Sequence, residues 1–521
     1  MRIGWTLGWL PILILCVWGV GPAQGSIPPT ANDGNSWTVY HGNINGSGAA
    51  DTVSSVDTKS PAWTSAALDG QVYGEPLISS GRVFVATEND TVYALSSTHG
   101  NVVWSTHLGT PVPANSLPCG NISPTVGITG TPVIDQARSE LFVVADEVVG
   151  GKPVHMMVGL SSDTGRTQME ERVDPPGADP AALLQRTGLT LDSGRVIFGL
   201  GGNYGDCAPY RGRVEAINEL GGKSLVFTVD AAAGDSKGAV WMGGAAPTID
   251  GSGNIWVSVG NGSVTSRGKA FDDSDSVLKL SPGLSLLAYF APGNWPQNNA
   301  NDLDMSSAPA LLSDGQIVVS GKSRIVYLLN ASDPGGVGGQ EASQASGCSQ
   351  DIDGGTAVIG TTVYLPCGSG TIAVQATQSP ATIHLLWTAK VGGGPPIAAA
   401  GMIWTIDPNG TLYGLNADTG KVQQQSSIGA PANHFPTPSV GAGLLVASAA
   451  DRVVAFTASA AMTTTTPAKI PPTLPRRAAQ NSTGKATSNS LFLIAALGVI
   501  GVALAGGGAW LLGRRRGGRG N

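Results

Sequence analysis

One pattern of short strands recurs along this chain. The segment "GEPLISSGRVFVATENDTVYALSSTHGNVVWSTHLG" (74–109) contains, in order, a strand after a proline and then "GRVFVAT", "DTVYALS" and "NVVWSTH". The later segment "PPIAAAGMIWTIDPNGTLYGLNADTGKVQQQSSIG" (395–429) has the same order. Looser copies include "GTPVIDQARSELFVVAD", "AAPTIDGSGNIWVSVGNG", "APALLSDGQIVVSGKSRIVYLLN" and "GTTVYLPCGSGTIAVQA". Each unit is about four short strands long, as expected for the blades of a β-propeller.

The number of units and the two ends of the repeat predict a closed ring. Units begin near residues 74, 127, 186, 241, 306, 353, 395 and 435, which predicts eight four-stranded antiparallel blades. The last unit stops after three strands, whereas "PAWTSAAL" (61–68) precedes the first unit as a spare strand. A ring in which the spare strand completes the last blade leaves no open sheet edge to aggregate. The sequence therefore predicts an all-β, eight-bladed propeller over residues 61–458.

Both ends of the chain have the composition of targeting segments. Residues 1–25 combine Arg2, the apolar run "WLPILILCVWGV" and small residues at "PAQG", which predicts a cleavable secretory signal. Residues 491–512 are apolar and uncharged and are followed by the basic tail 513–521, which predicts one transmembrane helix with its tail in the cytoplasm. A linker rich in Thr, Pro and Ser (459–490) and an N-terminal segment (26–60) flank the propeller. We therefore expect a single-pass cell-membrane protein with its propeller outside the cytoplasm.

Charge and cysteine usage narrow the classes of partner and cofactor. A net charge of -7 argues against a nucleic-acid partner, because phosphate contacts need a basic surface. Cys16 leaves with the signal, and an even number of cysteines remains in an exported chain, which predicts two disulfides. Of the three connectivities we favour Cys119–Cys207 and Cys348–Cys367. No CxxCH motif supports covalent haem, and no CxxC pair or HExxH motif supports zinc.

The repeat resembles the pyrroloquinoline quinone (PQQ)-type repeat, with its "YALDxxTGxxxW" core, of the eight-bladed quinoprotein dehydrogenase-like superfamily. The segment "WTVYHGNINGSG" (37–48) is also similar to a segment that precedes the ring in bacterial members. The resemblance covers roughly residues 37–458. In the family's dehydrogenases, PQQ lies over the central channel beside a calcium ion. The metal polarises the quinone, an aspartate removes the alcohol proton and a basic residue contacts the quinone oxygens.

Four segments match motifs that hold this cofactor pair in the family. "IWVSVGNGS" resembles the segment with an asparagine metal ligand, which points to Asn261, and an amide oxygen suits calcium. "NNANDLDMSSAP" resembles the segment of the catalytic aspartate, which implies Asp304 as base and metal ligand and Asp302 as a second ligand. "VVSGKSRIVYLLN" implies Lys322 as the basic cofactor contact. In "GNYGDCAPYRGRVEAI" the family's glutamate ligand is missing, and Asp206 is the candidate substitute.

Each of these residues also has a structural interpretation. Asn261 and Gly262 form the dipeptide of a tight hairpin turn, aspartates cap loop amides, and Lys322 could be an ordinary solvated lysine. Trp241 lies near the start of an inner strand, where its ring could stack on a ligand or pack in the core. His155 is expected to be structural. The tryptophans at the repeated strand position are expected to pack between blades; they are Trp63, Trp104 and Trp387.

Three functions stay open at the level of sequence. A quinoprotein oxidoreductase with a small-molecule substrate predicts PQQ and calcium at the site above. A non-catalytic scaffold, like the outer-membrane assembly lipoproteins that share this repeat, predicts a protein or envelope partner on the blade loops. An adhesion protein would use the long linker as a stalk. The family's alcohol dehydrogenases typically carry two adjacent cysteines that form a disulfide against the quinone. Their absence here and the missing glutamate argue against the oxidoreductase. The combined presence of Asn261, Asp304 and Lys322 argues for it.

Overall fold

The structure is a computed structural model that describes residues 35–229, 231 and 235–460. The predicted signal, transmembrane helix, basic tail and most of the linker lie outside the described residues. Within the described part of the chain, no helix has both the length and the apolar composition needed to span a bilayer.

The described residues form an all-β propeller whose sheets follow one another along the chain. Its eight blades correspond to the eight predicted units. In chain order their strands are Leu77–Ser79, Arg82–Ala86, Thr91–Ser96 and Val102–His107 (blade 1); Val133–Asp135, Glu140–Val149, Lys152–Ser161 and Thr167–Arg172 (blade 2); Thr190–Asp192, Arg195–Gly202, Arg213–Asn218 and Leu225–Thr228 (blade 3); Thr248–Ile249, Ile255–Val259, Ser276–Leu280 and Leu286–Ala291 (blade 4); Ala310–Leu311, Gln316–Val319, Ile325–Asn330 and Ala342–Ala345 (blade 5); Ala357–Ile359, Thr362–Cys367, Gly370–Gln378 and Ala381–Ala389 (blade 6); Ile397–Ala399, Met402–Ile406, Thr411–Asn416 and Val422–Ser427 (blade 7); and Ser439–Gly441, Leu444–Ala449 and Arg452–Ala460 (blade 8).

Additional short elements lie between and on the blades. The strands are Ala49–Ala50, Val53–Asp57, Trp63–Thr64, Val112–Pro113, Thr125–Val126, Leu183–Leu184 and Gly336–Val337. The α-helix is Trp295–Ala300, and the 3-10 helices are Tyr40–Gly42, Ala114–Ser116, Pro180–Ala182 and Met242–Gly244.

The burial pattern follows the position of each strand in its blade. In Arg82–Ala86, the second strand of blade 1, the side chains from Val83 to Ala86 are all buried, because both faces of the sheet pack against neighbouring blades. The outermost strand Val102–His107 instead contains no buried residue and alternates between half-buried and exposed positions along most of its length. Continuous apolar runs therefore mark the inner strands, and alternation marks the outer ones.

Blade 8 is completed by the N-terminal part of the chain, which confirms the predicted closure. Trp63–Thr64, within the predicted spare strand, pairs with Ala455 and Val454. Val53–Asp57 pairs with the end of the same strand, from Thr457 to Ala460, and so extends the closure into the segment that precedes the propeller in our sequence prediction. The first and last parts of the chain thus share one sheet, and the ring cannot open without breaking both sets of hydrogen bonds.

A tryptophan on one blade packs against a glycine turn of the next blade, as predicted for the tryptophans of the repeat. Trp104 of blade 1 donates from Nε1 to the Ser162 carbonyl oxygen of blade 2 at 3.1 Å. The ring lies against Gly165, which has a φ of +71°, and a Cβ on that glycine would lie 2.6 Å from the ring. The pairs Trp387–Gly420 and Trp63–Gly100 repeat this contact. The "TG" of the repeat therefore needs glycine both for its left-handed backbone and for the space that the indole takes.

The segment 37–50 crosses the inside of the ring. Trp37 forms a bridge with Ile78 of blade 1, the Ile44 carbonyl accepts from Ile249 of blade 4, and Ala49–Ala50 pairs in parallel with the inner strand of blade 7. Its centre, Tyr40 and His41, is buried, with the two rings stacked at 4.3 Å.

The centre of this segment is hydrogen-bonded to residues of two blades that are not neighbours in the ring. The His41 amide donates to Glu75 before blade 1 at 2.8 Å, and His41 Nδ1 lies 3.1 Å from the Thr356 carbonyl oxygen before blade 6. The segment thus contacts blades 1, 4, 6 and 7 from inside the ring.

Several buried ionisable groups lie between blades 1 and 2. Asp90 is fully buried, and neither carboxyl oxygen has a hydrogen-bond partner. Burial, followed by the charge of Asp146, raises the pKa of Asp90 to about 10. Burial alone would lower the pKa of His155, but the carboxylates of Asp146 and Asp174, at 2.9 Å and 2.7 Å, raise it to about 10.

Raised pKa values give the stability of the fold a definite pH dependence. A group with a higher pKa in the folded state binds its proton more tightly there than in the unfolded chain. The stabilisation from protonated His155 is complete below its ordinary value of 6.5 and is lost as the pH rises to about 10. Asp90 acts in the same direction from about pH 4 upward, because ionising it inside the fold is costly. Between about pH 4 and 10 these two groups therefore contribute less and less to the stability of the fold.

Candidate functional site

The predicted site residues lie in loops at one face of the ring. Asn261 follows Ile255–Val259 of blade 4, and Lys322 lies between Gln316–Val319 and Ile325–Asn330 of blade 5. Asp302 and Asp304 follow the helix Trp295–Ala300 in the connection from blade 4 to blade 5. These hairpin turns and blade-to-blade connections emerge on the same side of antiparallel four-stranded blades. The fold thus brings together residues that are far apart in sequence.

Lys322 is the centre of the cluster. Its Nζ lies 2.7 Å from Asp304 Oδ2 and 3.1 Å from Asp302 Oδ1. Asn261 joins both aspartates: its side-chain amide donates to Asp302 Oδ1 and its backbone amide donates to Asp304 Oδ1, each at 2.6 Å. Lys322 Nζ also lies 5.5 Å from the ring centroid of Trp241. These five residues, proposed from separate segments, form one connected cluster.

The electrostatics of the cluster depend on burial. The Asp304 side chain is 9% exposed, whereas that of Asp302 is 75% exposed. Burial raises the pKa of Asp304, and the adjacent Lys322 ammonium opposes this shift. For Lys322, burial lowers the pKa, but the Asp304 carboxylate outweighs it and the net shift is upward. A Cβ on Gly260 would lie 2.6 Å from Asp304 Oδ1, so this close approach requires glycine.

Asp206, the candidate substitute for the family's glutamate, is not in contact with the cluster. Its carboxylate accepts a hydrogen bond from the Tyr210 hydroxyl at 2.8 Å and lies 3.7 Å from Lys237 Nζ. Asp206 therefore does not take the place of the missing glutamate beside Asn261 and Asp304.

The residues present do not fit a calcium ion. Asn261 Oδ1 is buried and without a hydrogen-bond partner, so one suitable oxygen is free. Both oxygens of Asp304 are already used, one by the Asn261 amide and one by Lys322. Calcium needs six to eight oxygen ligands. Among the described ranges, no three His, Cys, Asp or Glu side chains are grouped so that they could hold a metal ion. The ammonium of Lys322 takes the position between carboxylates that a cation would need.

An aromatic and cationic group that the sequence analysis missed borders Trp241. The rings of Trp241 and Phe435 are 5.8 Å apart, and the Arg186 guanidinium lies 5.7 Å from the Phe435 ring and 5.9 Å from that of Tyr73. Arg186 is buried, and its Nη2 donates to Asn433 Oδ1 at 2.6 Å. Its only sequence signal was a single arginine where the third unit begins. Together with Lys322 and Trp241, these residues line what we call the channel mouth.

The two disulfides have the pairing that we favoured. Cys119, between blades 1 and 2, is bonded to Cys207 in the hairpin of blade 3. Cys348, between blades 5 and 6, is bonded to Cys367 at the end of the second strand of blade 6. Each disulfide therefore ties a blade-to-blade connection to a hairpin turn on the face that carries the site.

Comparisons with known proteins agree with the fold and leave the activity open. The sequence model of a family described as Outer membrane protein assembly factor BamB matches residues 5–146. No curated protein matches the chain.

Solved structures with this fold include both enzymes and an assembly factor. The quinohemoprotein alcohol dehydrogenase ADHIIG from Pseudomonas putida HK5 is 12% identical over 81% of this chain and 80% of that chain, with a TM-score of 0.62. The quinohemoprotein alcohol dehydrogenase from Comamonas testosteroni is 14% identical over 82% and 81%, with a TM-score of 0.61. BamB from Moraxella catarrhalis is 13% identical over 76% and 99%, with a TM-score of 0.52.

The repeat, the closed ring and these structures agree on the fold of the chain. The fold is common to dehydrogenases and to an assembly factor, so it does not by itself select an activity. The described residues have the eight-bladed β-propeller fold of these structures, and residues 5–146 match the family model.

Proposed function

We propose that the chain is a membrane-anchored binding protein whose propeller, outside the cytoplasm, binds a planar anionic molecule at the channel mouth without a metal ion. The observation that carries this proposal is the position of Lys322 between Asp302 and Asp304, 3.1 Å and 2.7 Å from their carboxylates. This arrangement neutralises the carboxylates from within the protein. The membrane anchor rests on the apolar segment 491–512 of the sequence.

The channel mouth has the chemistry of a receptor for a flat anion. The rings of Trp241 and Phe435 offer surfaces on which a planar molecule stacks. Arg186 is buried, its Nη2 donates to the neutral Asn433 side chain, and the charge of Glu88 opposes the effect of burial on its pKa. A buried guanidinium is stabilised by an anionic partner, and its planar donors suit a carboxylate. PQQ, which is planar and carries carboxylates, is the first ligand to test.

The test is a calorimetric titration of the full-length protein in detergent with PQQ, once with calcium and once with EDTA. We expect binding with equal affinity in both buffers and a loss of at least tenfold in Lys322→Met. The exposed Lys390→Met is the matched control and should bind as the unmodified protein does. Calcium-dependent binding would contradict the metal-free proposal. No binding in either buffer would remove PQQ as the ligand and favour a scaffold that acts through its blade loops.

A quinoprotein oxidoreductase is the second candidate, because Asn261, Asp304 and Lys322 do converge. Bound PQQ would accept the two electrons of an alcohol or sugar substrate, and another protein would reoxidise it. This candidate predicts dye-linked oxidation of such substrates by the PQQ-loaded protein, abolished in Asp304→Asn. Binding of PQQ without oxidation of any substrate in such a screen would support the binding protein instead.

A further inference from the structure

A cavity lies on blade 3 and is lined by residues other than those of the cluster around Lys322. Its volume is about 300 Å³, which is at the lower end of the range for small-molecule sites. The residues that give it chemical character are Asp179, Tyr210, Arg211, Arg213, Asp235 and Ser236. Neither Lys322 nor Trp241 lines it, so its occupation does not depend on the function proposed for the channel mouth.

The sequence places two guanidinium groups on one wall of this cavity. In "YRGRVEAI" the arginines are two positions apart in extended chain that leads into the strand Arg213–Asn218, and alternate residues of extended chain point to the same face. The backbone of Gly212, between the two arginines, lies against the connection from blade 3 to blade 4. Its amide donates to the Lys237 carbonyl at 2.7 Å, and a Cβ on Gly212 would overlap the Gly238 carbonyl. Both arginines are therefore held by fixed backbone.

Arg213 has donor capacity that the protein does not use. Its Nε is buried and has no hydrogen-bond partner, and its Nη1 reaches Thr228 Oγ1 only at 3.4 Å. Among the described residues, no carboxylate lies within ion-pair distance of Arg213. Burial lowers the pKa of Arg213; the charge of Glu215 opposes this shift, and the charge of Arg211 adds to it. A ligand with an anionic oxygen would supply the missing acceptor and relieve the repulsion between the two cations.

The remaining wall is suited to a ligand that also carries hydroxyl groups. Asp179 is exposed and accepts one hydrogen bond, from the Ala181 amide at 3.1 Å, which leaves acceptor capacity on its carboxylate. Asp235 and Ser236 add further polar groups, and Tyr210 adds ring surface. The carboxylates of Asp179 and Asp235 on the same cavity disfavour a purely anionic ligand such as a polyphosphate. They do accept hydrogen bonds from sugar hydroxyls.

We propose that this cavity binds an acidic sugar unit, that is, a saccharide ring that carries a carboxylate or a phosphate. Arg213, with Arg211 beside it, binds the anionic group, and Asp179 and Asp235 accept hydrogen bonds from the ring hydroxyls. The volume of about 300 Å³ accommodates one ring. A free sugar acid or sugar phosphate and a terminal residue of an envelope polysaccharide share this chemistry.

The experiment titrates the full-length protein in detergent with four probes: glucuronate, glucose 6-phosphate, glucose and inorganic phosphate. We expect the two acidic sugars to bind with a Kd of roughly 1 mM or tighter, as a few charge-assisted hydrogen bonds allow, and glucose not to bind. Competition with an oligosaccharide that ends in a uronate then distinguishes a polymer end from a free sugar acid.

Variants locate the binding and separate it from the channel mouth. Arg213→Gln should weaken glucuronate at least tenfold, and Arg213→Lys should retain part of the affinity. Arg195→Gln, on another strand of the same blade, should bind normally, as should Lys322→Met. Unchanged affinity in Arg213→Gln, or glucose bound as tightly as glucuronate, would overturn the proposal. Inorganic phosphate bound as tightly as the sugars would leave an ion site only and also overturn it. Melting curves of each variant show that a loss of binding is not a loss of folding.

Discussion

Gly100→Ala should weaken the closure of the ring through one specific contact. Gly100 has a φ of +69°, and a Cβ there would overlap the indole of Trp63, whose Cδ2 would lie at 2.8 Å. Trp63 is on the N-terminal strand that completes blade 8, and its Nε1 donates to the Ser97 carbonyl oxygen of blade 1 at 2.8 Å. An added methyl group must push the indole from the turn. The substitution therefore acts on the junction between the two ends of the chain.

A matched glycine separates this clash from backbone strain. Gly81, also in blade 1, has a φ of +72°, and a Cβ there would meet only Ser97 Oγ at 3.9 Å. Gly81→Ala should therefore cost only the left-handed backbone term, about 1–2 kcal/mol. Gly100→Ala carries the same term and adds overpacking of about 1–3 kcal/mol. The difference between the two variants measures the clash with Trp63.

The assay is thermal unfolding of the full-length protein in a double-mutant cycle with Trp63→Ala. Trp63→Ala alone should cost about 3–5 kcal/mol, because the indole is buried. In that background Gly100→Ala should cost no more than Gly81→Ala, which gives a coupling free energy of about 1–3 kcal/mol. Equal losses from Gly100→Ala with and without the indole would refute the proposed contact.

Three further outcomes follow from the buried groups and the disulfides. Asp90→Asn should raise the melting temperature more at pH 9 than at pH 5, because the pKa of Asp90 is raised to about 10. The gain in the free energy of unfolding should grow by at most about 1.4 kcal/mol per pH unit, and an equal gain at both pH values would contradict this. Lys322→Met should cost about 1–3 kcal/mol at pH 7 by leaving the carboxylate of Asp304 buried without its cation, and adding Asp304→Asn should restore most of the loss in the same melting assay. Replacing both Cys119 and Cys207 by serine should destabilise the fold by about 4 kcal/mol, since the disulfide closes a separation of 88 residues; unchanged unfolding in denaturant would show that the unfolded chain is not constrained by it.

The repeat in the sequence specifies most of the architecture. Strand period, blade number, closure by an N-terminal strand and the packing role of Trp63, Trp104 and Trp387 are all local patterns or copies of one pattern. Each blade is built from neighbouring residues, so its strands and turns can be derived from a window of a few dozen positions. The disulfide pairing also followed, because the cysteines lie in connections that neighbouring blades bring together.

The sequence predicted which residues form the candidate site but not how they contact one another. Asn261, Asp302, Asp304 and Lys322 could be named because each lies in a segment that resembles a family motif. The resemblance could not show that Lys322 bridges both aspartates, nor that Asp206 lies with Tyr210 and Lys237 instead. These are contacts between different loops, and their distances depend on how insertions place each loop.

The tertiary structure alone decided what lies on and around the axis of the ring. Nothing in residues 37–50 predicts that Tyr40 and His41 are buried with their rings stacked, and nothing near residue 186 predicts a guanidinium beside Phe435. Likewise, nothing in the sequence predicts that Arg213 Nε is buried without a hydrogen-bond partner. A repeat specifies the blade because its interactions are local, whereas the surfaces that bind ligands are built where loops from distant blades meet. The chemistry of such a surface depends on distances that only the closed ring sets.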